Sequence, residues 1–454
     1  MKNTLLKKMA LLLTGVLVLG VTACGAEEEA SKTSESSSVA ESSSEVKESS
    51  TEPTPEPEMD YKDVEFRIGW WGGDARHNST IEFIEEFEKD YKNLTIDVEY
   101  SGWGDYWTKM STQAAGGELP DIVQLDYAYL GQYAEAGLLL PLDDYVASGA
   151  LDLSNVAEST YSSGIVNAEL VSIPCGVNTT TYVYNTEVAA EAGVTLSDTP
   201  TWDELIEAMK TVYEKTGSKG QLALDLNYHA RTFGEEYVGA DGKSVGISEE
   251  TLVGFWQALY DGYENGYVLN AVETAYDSTG AAFADKTMWI TATATNAIGS
   301  LLAESEADLK FITLPTTEAG PAPGFSKPSM LWAVTKTCEN PDLAVAFINY
   351  YVNDNRVYEI AGMDRAVPIS TAIREAMKPT MTEDQLMQVD FIEFMEDGHA
   401  SALYPASPAA WNEAIALITE KTGLLEYHAM KPEEFEAAAA EAIKAANDIL
   451  SAAE

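Results

Sequence analysis

Three short stretches of this 454-residue chain place tryptophan or tyrosine beside a carboxylate. They are residues 70–78 (WWGGDARHN), 101–107 (SGWGDYW) and 126–129 (DYAY). Flat aromatic faces beside carboxylates and an arginine suit a solute with both apolar faces and hydroxyl groups, such as a sugar ring. The same residue types also fill protein cores and cap helices, so each candidate below has a structural alternative.

Each stretch follows a run of residues that predicts a strand. Residues 64–68, 94–100 and 122–125 are alternating or continuously apolar, and residues 81–87 then show helical spacing. Ligands of α/β sheets bind outside the carboxyl ends of the strands, so three strand ends of one chemical type predict a shared cleft.

In the first stretch, we expect Asp74 and Arg76 to form hydrogen bonds with the solute and Trp71 to stack on it. Trp70 is expected in the core, and His77 either caps the helix or contacts the solute. The alternative is that both tryptophans fill the core while Asp74 pairs with Arg76.

The other two stretches and the second half of the chain supply further candidates. Asp126 and Tyr127 follow the third strand, where Asp126 alternatively caps a helix. Trp103 is either a stacking surface or a packed surface residue, and Asn178 is either a ligand contact or a turn residue. The remaining candidates are Trp289, Trp332, Arg365, Tyr404 and Trp411.

The composition narrows the class of partner. With 74 acidic and 27 basic residues, the formal net charge is −47, which argues against nucleic acid and anionic lipid and favours a neutral or cationic solute. The chain has 4 histidines and no CxxC, HExxH or P-loop spacing, so neither a metal nor a cofactor is expected.

The N-terminal residues read as a targeting signal. Lysines precede the apolar run 9–19, and Val21-Thr22-Ala23-Cys24 resembles a bacterial lipobox. We therefore expect a signal peptide over 1–23, lipid on Cys24 and a disordered Ser- and Glu-rich tether over 24–60. The two other cysteines, Cys175 and Cys338, are expected as free thiols, with a disulfide as the alternative.

From residue 62 to about 345, strand and helix patterns alternate, which predicts an α/β fold. Six stretches of the chain resemble the family 1 extracellular solute-binding proteins of carbohydrate ABC importers, and the likeness extends over nearly all of 62–454. The first is the opening at 64–100, which begins VEFRIGWWGGDARHN and ends in the strand LTIDVEY. The others are GGELPDIVQLDYAYLGQYAEAGLLLPLDDY (116–145), VSIPCGVNTTTYVYNTEVAAEAGV (171–194), PTWDELIEAMK (200–210), WAVTKTCENPDLAVAFINYYV (332–352) and RAVPIS (365–370).

The resemblance implies a two-lobed fold of the periplasmic-binding-protein type II, with the ligand held between the lobes. We expect lobe 1 over 62–173 plus 290–338 and lobe 2 over 174–289 plus 339–454. The expected crossings lie near 172–177, 287–292 and 335–340, which makes Gly176 either a hinge residue or a simple bulge.

The resemblance also implies the function. We expect a monomeric binding protein, not an enzyme, that captures a neutral sugar or oligosaccharide at the extracellular face of the bacterial cytoplasmic membrane and delivers it to an ABC permease. One alternative is a peptide or another organic solute as cargo. The other is a secreted glycoside hydrolase, for which Asp74 and Asp126 would be candidate paired carboxylates.

Overall fold

The computed structural model describes residues 60–222, 226–239, 241, 243–270, 278–318, 320–403 and 410–452. Cys24, the signal peptide, nearly all of the tether and Tyr404 lie outside them. The strands are β1 (Arg67–Trp71), β2 (Asp97–Ser101), β3 (Ile122–Leu125), β4 (Ile165–Val166), β5 (Glu169–Leu170), β6 (Ile173–Pro174), β7 (Val177–Asn185), β8 (Lys219–Gly220), β9 (Met288–Ala294), β10 (Leu309–Ile312), β11 (Ser326–Pro328) and β12 (Leu331–Val334).

The helices, in chain order, are α1 (Asp74–Glu88), α2 (Trp103–Gly116), α3 (Tyr127–Glu135), α4 (Asp143–Ser148), α5 (Glu158–Tyr161), α6 (Thr186–Glu191), α7 (Trp202–Thr216), α8 (Leu226–Thr232), α9 (Glu249–Glu264), α10 (Thr279–Ala284), α11 (Ile298–Ser305), α12 (Pro341–Asn353), α13 (Asn355–Ala361), α14 (Thr371–Met377), α15 (Glu383–Phe394), α16 (Trp411–Ala414), α17 (Ala416–Leu425) and α18 (Phe435–Ala452). Among the described residues, no helix is both long and apolar enough to cross a membrane.

The first sheet has the strand order β2-β1-β3-β12-β6. Strand β1 runs parallel to β2 and β3, whereas β12 runs antiparallel to both β3 and β6. Every residue of β3 and β12 is buried, as expected for strands covered by helices on both faces. Helices α1 and α12 cover one face, where the Phe87 ring meets the Phe347 ring edge-on at 5.3 Å.

The second sheet has the order β10-β7-β9-β8, with β11 paired to the first residues of β7. Its core contains the fully buried Trp256 and Trp289. Helices α9 and α18 pack together there, and the Trp256 ring contacts the Phe435 ring at 6.0 Å. Two separate sheets, each with its own core, make up the two lobes of residues 58–454.

Two short segments join the sheets. Residues 175–176 connect β6 of the first sheet to β7 of the second, and residues 329–330 connect β11 back to β12. A Cβ on Gly176 would lie 2.2 Å from the carbonyl oxygen of Arg365, so only glycine allows the two backbones to approach this closely. The third connection between the lobes runs through α15. Val389 of this helix packs in the core of the first lobe, whereas Phe391 packs in a separate hydrophobic core.

The structure differs from the expected division of the chain in two segments. Residues 290–328 were expected in lobe 1, but β9 and β10 pair with β7 in the second sheet. Residues 339–377 were expected in lobe 2, but α12, α13 and α14 pack on the first core. The expected crossing at 287–292 therefore falls inside a strand, because alternation marks a strand without identifying its partner.

Both cysteines in the described residues are free thiols. Cys175 is buried at the first crossing, and burial raises the pKa of its thiol to about 12. Cys338 is half-buried near Asp121, and its thiol pKa is also raised to about 12, chiefly by desolvation. Neither thiol is poised to react as a thiolate at neutral pH.

Candidate functional site

The carboxyl ends of β1, β2 and β3 meet at one edge of the first sheet, here called the cleft edge. Because β12 runs antiparallel to β3, its first residue Leu331 pairs with Leu125, the last residue of β3. The crossing at 329–330 therefore borders the same edge. The predicted aromatic and acidic turns after β1, β2 and β3 all lie here, as the sequence indicated.

Trp103, the first residue of α2, presents an aromatic ring to solvent at the cleft edge. It is 47% exposed, and its ring meets Trp71 at 5.1 Å and Trp107 at 5.4 Å, both nearly edge-on. Trp107 in turn stacks on Tyr129 at 3.9 Å. Trp71 itself is buried, so the expectation that Trp71 is the stacking surface was wrong. Trp71 instead packs against the ring of Trp103.

A cavity of about 740 Å³, here called the interlobe cavity, is lined by residues of both lobes. Lobe 1 contributes Arg76 from α1 and the loop 362–366, which includes Arg365. Lobe 2 contributes Asn178 from β7 and Asn296, which follows β9. Three residues predicted from the sequence, Arg76, Asn178 and Arg365, are thus brought together in one cavity.

Hydrogen bonds fix Arg365 at the wall of this cavity. Its Nε donates to Gln124 Oε1 (3.1 Å) and its Nη2 to Thr80 Oγ1 (2.8 Å), while the residue is 3% exposed. Gln124 in turn donates from Nε2 to the carbonyl oxygen of Trp71 (3.2 Å), which links the guanidinium to the end of β1. Burial lowers the pKa of Arg365, which nevertheless stays protonated at any physiological pH.

Asn178 carries an unfilled hydrogen-bond acceptor. Its Oδ1 is buried and has no hydrogen-bond partner among the described residues. Buried polar atoms in folded proteins nearly always have a partner, so an unfilled acceptor in a cavity wall is a place for a donor from a ligand. A hydroxyl group would supply that donor.

Two predicted carboxylates have different surroundings. Asp74 is exposed in the first turn of α1, where a negative charge is favourable. Asp126 caps α3, since its Oδ1 accepts from the backbone N–H of Ala128 (2.9 Å), and this is the structural alternative that the sequence left open. Tyr127 follows it and is half-buried.

Trp70 is fully buried, as expected, and donates from Nε1 to His77 Nδ1 (3.2 Å). Burial lowers the pKa of His77, and the nearby Asp74 opposes that shift. His77 therefore packs against Trp70 and Tyr100, whose ring lies 4.4 Å away. It does not line the interlobe cavity.

Three tryptophans predicted as ligand contacts are core residues, and that prediction was wrong. Trp289 and Trp332 are completely buried inside the second and first lobes. Trp411 is 7% exposed and packs edge-on against Tyr237 at 5.0 Å. Large apolar rings in strands and amphipathic helices are easily mistaken for binding surfaces when the lobe assignment of the segment is unknown. The candidate Tyr404 lies outside the described residues.

Several residues that line the cavity were not predicted from the sequence. Asn296 follows β9 at the same edge of the second sheet as Asn178, and Ser329 and Met330 form the second crossing. Helix α15 adds Asp384 and Gln388. The only available signal was the position of Asn296 after a strand, and the incorrect lobe assignment concealed it.

The chemistry of the site is that of reversible polar recognition. The cavity offers guanidinium and amide donors, amide and carboxylate acceptors, and Trp103 offers an aromatic face at the cleft edge. Among the described residues, no cluster of three or more His, Cys, Asp or Glu side chains could hold a metal ion. Hydrogen bonds together with an aromatic face are the usual means of holding a polar, ring-shaped solute.

Two α/β lobes, joined by crossing strands around a polar cavity, define a solute-binding protein. The family model described as bacterial extracellular solute-binding protein matches residues 82–389. This chain belongs to that family, which confirms the relationship inferred from the sequence.

Individual relatives are similar to this chain in sequence over shorter segments. A maltotriose-binding protein of Pyrococcus abyssi is 24% identical over 183 residues, 38% of this chain and 39% of the relative. A carbohydrate ABC transporter substrate-binding protein of Streptococcus pneumoniae is 27% identical over 124 residues, 26% of this chain and 25% of the relative. The matches thus span less than half of these relatives.

The fold likeness is more extensive. The solved structure of a family 1 extracellular solute-binding protein from Alicyclobacillus acidocaldarius superposes with a TM-score of 0.77 at 25% identity, covering 85% of this chain and 98% of that one. This similarity confirms the two-lobed α/β fold predicted from the sequence.

Proposed function

We propose that this protein captures a neutral sugar or oligosaccharide and delivers it to the permease of an ABC transporter. The observation that carries the proposal is the interlobe cavity, which combines the unfilled acceptor of Asn178 with the fixed guanidinium of Arg365. A sugar hydroxyl both donates and accepts, so it suits such mixed walls. The maltotriose- and carbohydrate-binding relatives support the same class of cargo.

Binding requires both lobes, because Asn178 and Asn296 approach the cavity from one lobe and Arg76 and Arg365 from the other. A solute that contacts both walls stabilises the arrangement in which the lobes are close together. Trp103 supplies an apolar face for a ring at the cleft edge. The permease would recognise the closed arrangement, and no covalent step is involved.

The proposal includes the membrane attachment expected from the sequence. Lipid on Cys24 would hold the protein at the extracellular face of the bacterial membrane, with 24–60 as the tether and a single copy as the working unit. Labelling of the whole chain with a lipid precursor, compared between the natural sequence and Cys24→Ala, tests this part. Equal labelling of the two would contradict it.

Calorimetric titration of residues 58–454, which form one compact unit, tests the cargo class. The panel holds neutral oligosaccharides, a cationic peptide and an acidic oligosaccharide. Saturable binding of a neutral member near micromolar Kd, about −8 kcal/mol, with the sugar recovered intact, is the expected result. Binding of the peptide alone would indicate the other cargo class, and release of shorter sugars would indicate a hydrolase.

The variant Asn178→Ala connects that binding to the cavity. It removes the unfilled acceptor, and we expect about a tenfold weaker affinity with unchanged stability, because no internal hydrogen bond is lost. Asn349→Ala is a matched control, since Asn349 lies in α12 and accepts from the backbone of Asp152, outside the cavity. An equal loss of affinity in both variants would argue against the cavity as the binding site.

A further inference from the structure

We propose that Asp364 is a positioning residue that holds the Arg76 guanidinium in place beside Arg365 and makes the interlobe cavity prefer neutral over acidic solutes. This inference rests on the function proposed above. Asp364 was not among the residues singled out from the sequence. It precedes Arg365 in the loop 362–366 and lines the same cavity.

One carboxylate oxygen lies between two arginines. Asp364 Oδ2 accepts from Arg76 Nε at 2.9 Å and lies 3.6 Å from Arg365 Nη1. The backbone oxygen of Asp364 also accepts from Arg76 Nη2 at 3.1 Å. Two of the three guanidinium nitrogens of Arg76 therefore donate hydrogen bonds to the same residue, Asp364. The side chains of both residues are mostly buried.

The Arg76 side chain is guided to this position by Gly72. A Cβ on Gly72 would lie 2.8 Å from Arg76 Cδ and 2.9 Å from Arg76 Cβ, so the aliphatic stem crosses the place that a side chain would occupy. This explains one glycine of the WWGGDARHN stretch. With the stem and two nitrogens fixed, Nη1 of Arg76 has no hydrogen bond within the described part of the chain.

The Arg365 guanidinium also has one nitrogen without a hydrogen bond. Its Nε and Nη2 are occupied by Gln124 and Thr80, and its Nη1 is buried with no hydrogen-bond partner among the residues described here. The rings of Phe83 and Trp332 lie 5.8 and 5.4 Å from the guanidinium. Arg76 thus keeps one donor for the oxygen of a solute, whereas the unpaired nitrogen of Arg365 is buried on the other side of Asp364.

The charges around the cavity explain the preference for a neutral solute. Two guanidiniums face three carboxylates, because Glu359 and Asp384 also line the cavity. An acidic solute would gain the free donor of Arg76 but would also meet this excess of negative charge. Without the charge of Asp364 the excess disappears, so this single carboxylate separates neutral from acidic cargo.

The positioning role is tested without any ligand. The chain has six arginines, so the Nε–H groups of Arg76 and Arg365 can be assigned by NMR with Arg→Lys variants. In Asp364→Ala we expect the Arg76 Nε–H to exchange with water at least tenfold faster, because its acceptor is lost. Asp90→Ala is the matched control: it removes a partner of Arg356 at the other end of α1 and should leave both signals unchanged.

The preference for neutral cargo is tested by affinity. Wild type, Asp364→Asn and Asp90→Asn are titrated with maltotriose, cellotriose and trigalacturonate. We expect the ratio of neutral to acidic affinity to fall about tenfold in Asp364→Asn only, since the substitution keeps the shape and removes the charge.

The results separate this inference from the proposed function. If wild type binds none of the sugars, the proposed function fails, while Nε–H exchange still decides the positioning role. Unchanged exchange in Asp364→Ala overturns that role. An unchanged affinity ratio in Asp364→Asn, or a wild type that binds trigalacturonate as tightly as the neutral sugars, overturns the preference for neutral cargo.

Discussion

Truncation of Trp103 should weaken sugar binding without weakening the fold. Trp103 is 47% exposed. A tryptophan side chain offers about 200 Å², so roughly 100 Å² remains for a solute to cover. A ring that stacks on one face covers about half of that, which at about 25 cal/mol per Å² is worth about 1.2 kcal/mol. Trp103→Ala should therefore raise Kd about eightfold.

The contrast with Trp332 makes this prediction specific. Trp332 was also predicted as a ligand contact, but it is completely buried between Phe347 and Tyr351. Trp332→Ala should cost about 3–5 kcal/mol of unfolding free energy, whereas Trp103→Ala should cost under about 1 kcal/mol. Urea unfolding gives the stability of each variant and calorimetry gives its affinity.

An exposed aromatic elsewhere serves as the control for affinity. Tyr427 is 62% exposed and lies after α17, so Tyr427→Ala should leave the affinity unchanged. A Trp103→Ala variant that lost as much stability as Trp332→Ala, or that bound the sugar as tightly as wild type, would refute a role for Trp103 as an exposed stacking surface.

Three further predictions concern the fold. Gly176→Ala should lower the unfolding free energy by about 3 kcal/mol, because the new Cβ meets backbone at 2.2 Å; a urea midpoint equal to that of wild type would contradict this. Glu396→Gln should cost about 3–5 kcal/mol, since it leaves the fully buried Arg374 without its carboxylate, whereas Glu375→Gln at an exposed pair should cost less than about 0.5 kcal/mol in the same assay. His229 is buried among aromatic rings, and desolvation lowers its pKa to about 3 from its ordinary 6.5. The unfolded chain therefore binds the proton more readily, so below pH 6.5 stability should fall by about 1.4 kcal/mol per pH unit until about pH 3. Unfolding measured at pH 7 and 5.5 should show less pH dependence in His229→Phe, and equal slopes would exclude His229 as the cause.

Local signals in the sequence were reliable where the physical cause is itself local. Thr201 and Glu204 form the predicted capping box, and α12 begins at Pro341 as predicted. The strand after residue 64 and the helix predicted over 81–87 are present, although that helix begins inside the WWGGDARHN stretch at Asp74, and Trp70 is in the core. Capping groups, proline and side-chain alternation act within a few residues, so they can be read from one segment alone.

Features that depend on distant partners could not be read in this way. The sequence does not show that β9 pairs with β7 or that α12 joins the first lobe, and with those assignments unknown, buried tryptophans such as Trp289 resemble cleft residues. Arg365 was among the candidates named from the sequence, but Asp364 beside it was not. Its role becomes visible only when α1 brings Arg76 to it.

The strand order of the first sheet bears on how a nascent chain acquires this structure. Strand β12 lies between β3 and β6. The edge of β3 that pairs with β12 therefore stays unpaired until about 200 more residues have been synthesised. The second sheet, in contrast, is complete at Pro328, just before β12 begins. During synthesis, β3 therefore keeps an open apolar edge of the kind that promotes aggregation. The sheet that contains the earliest strands is the last to close.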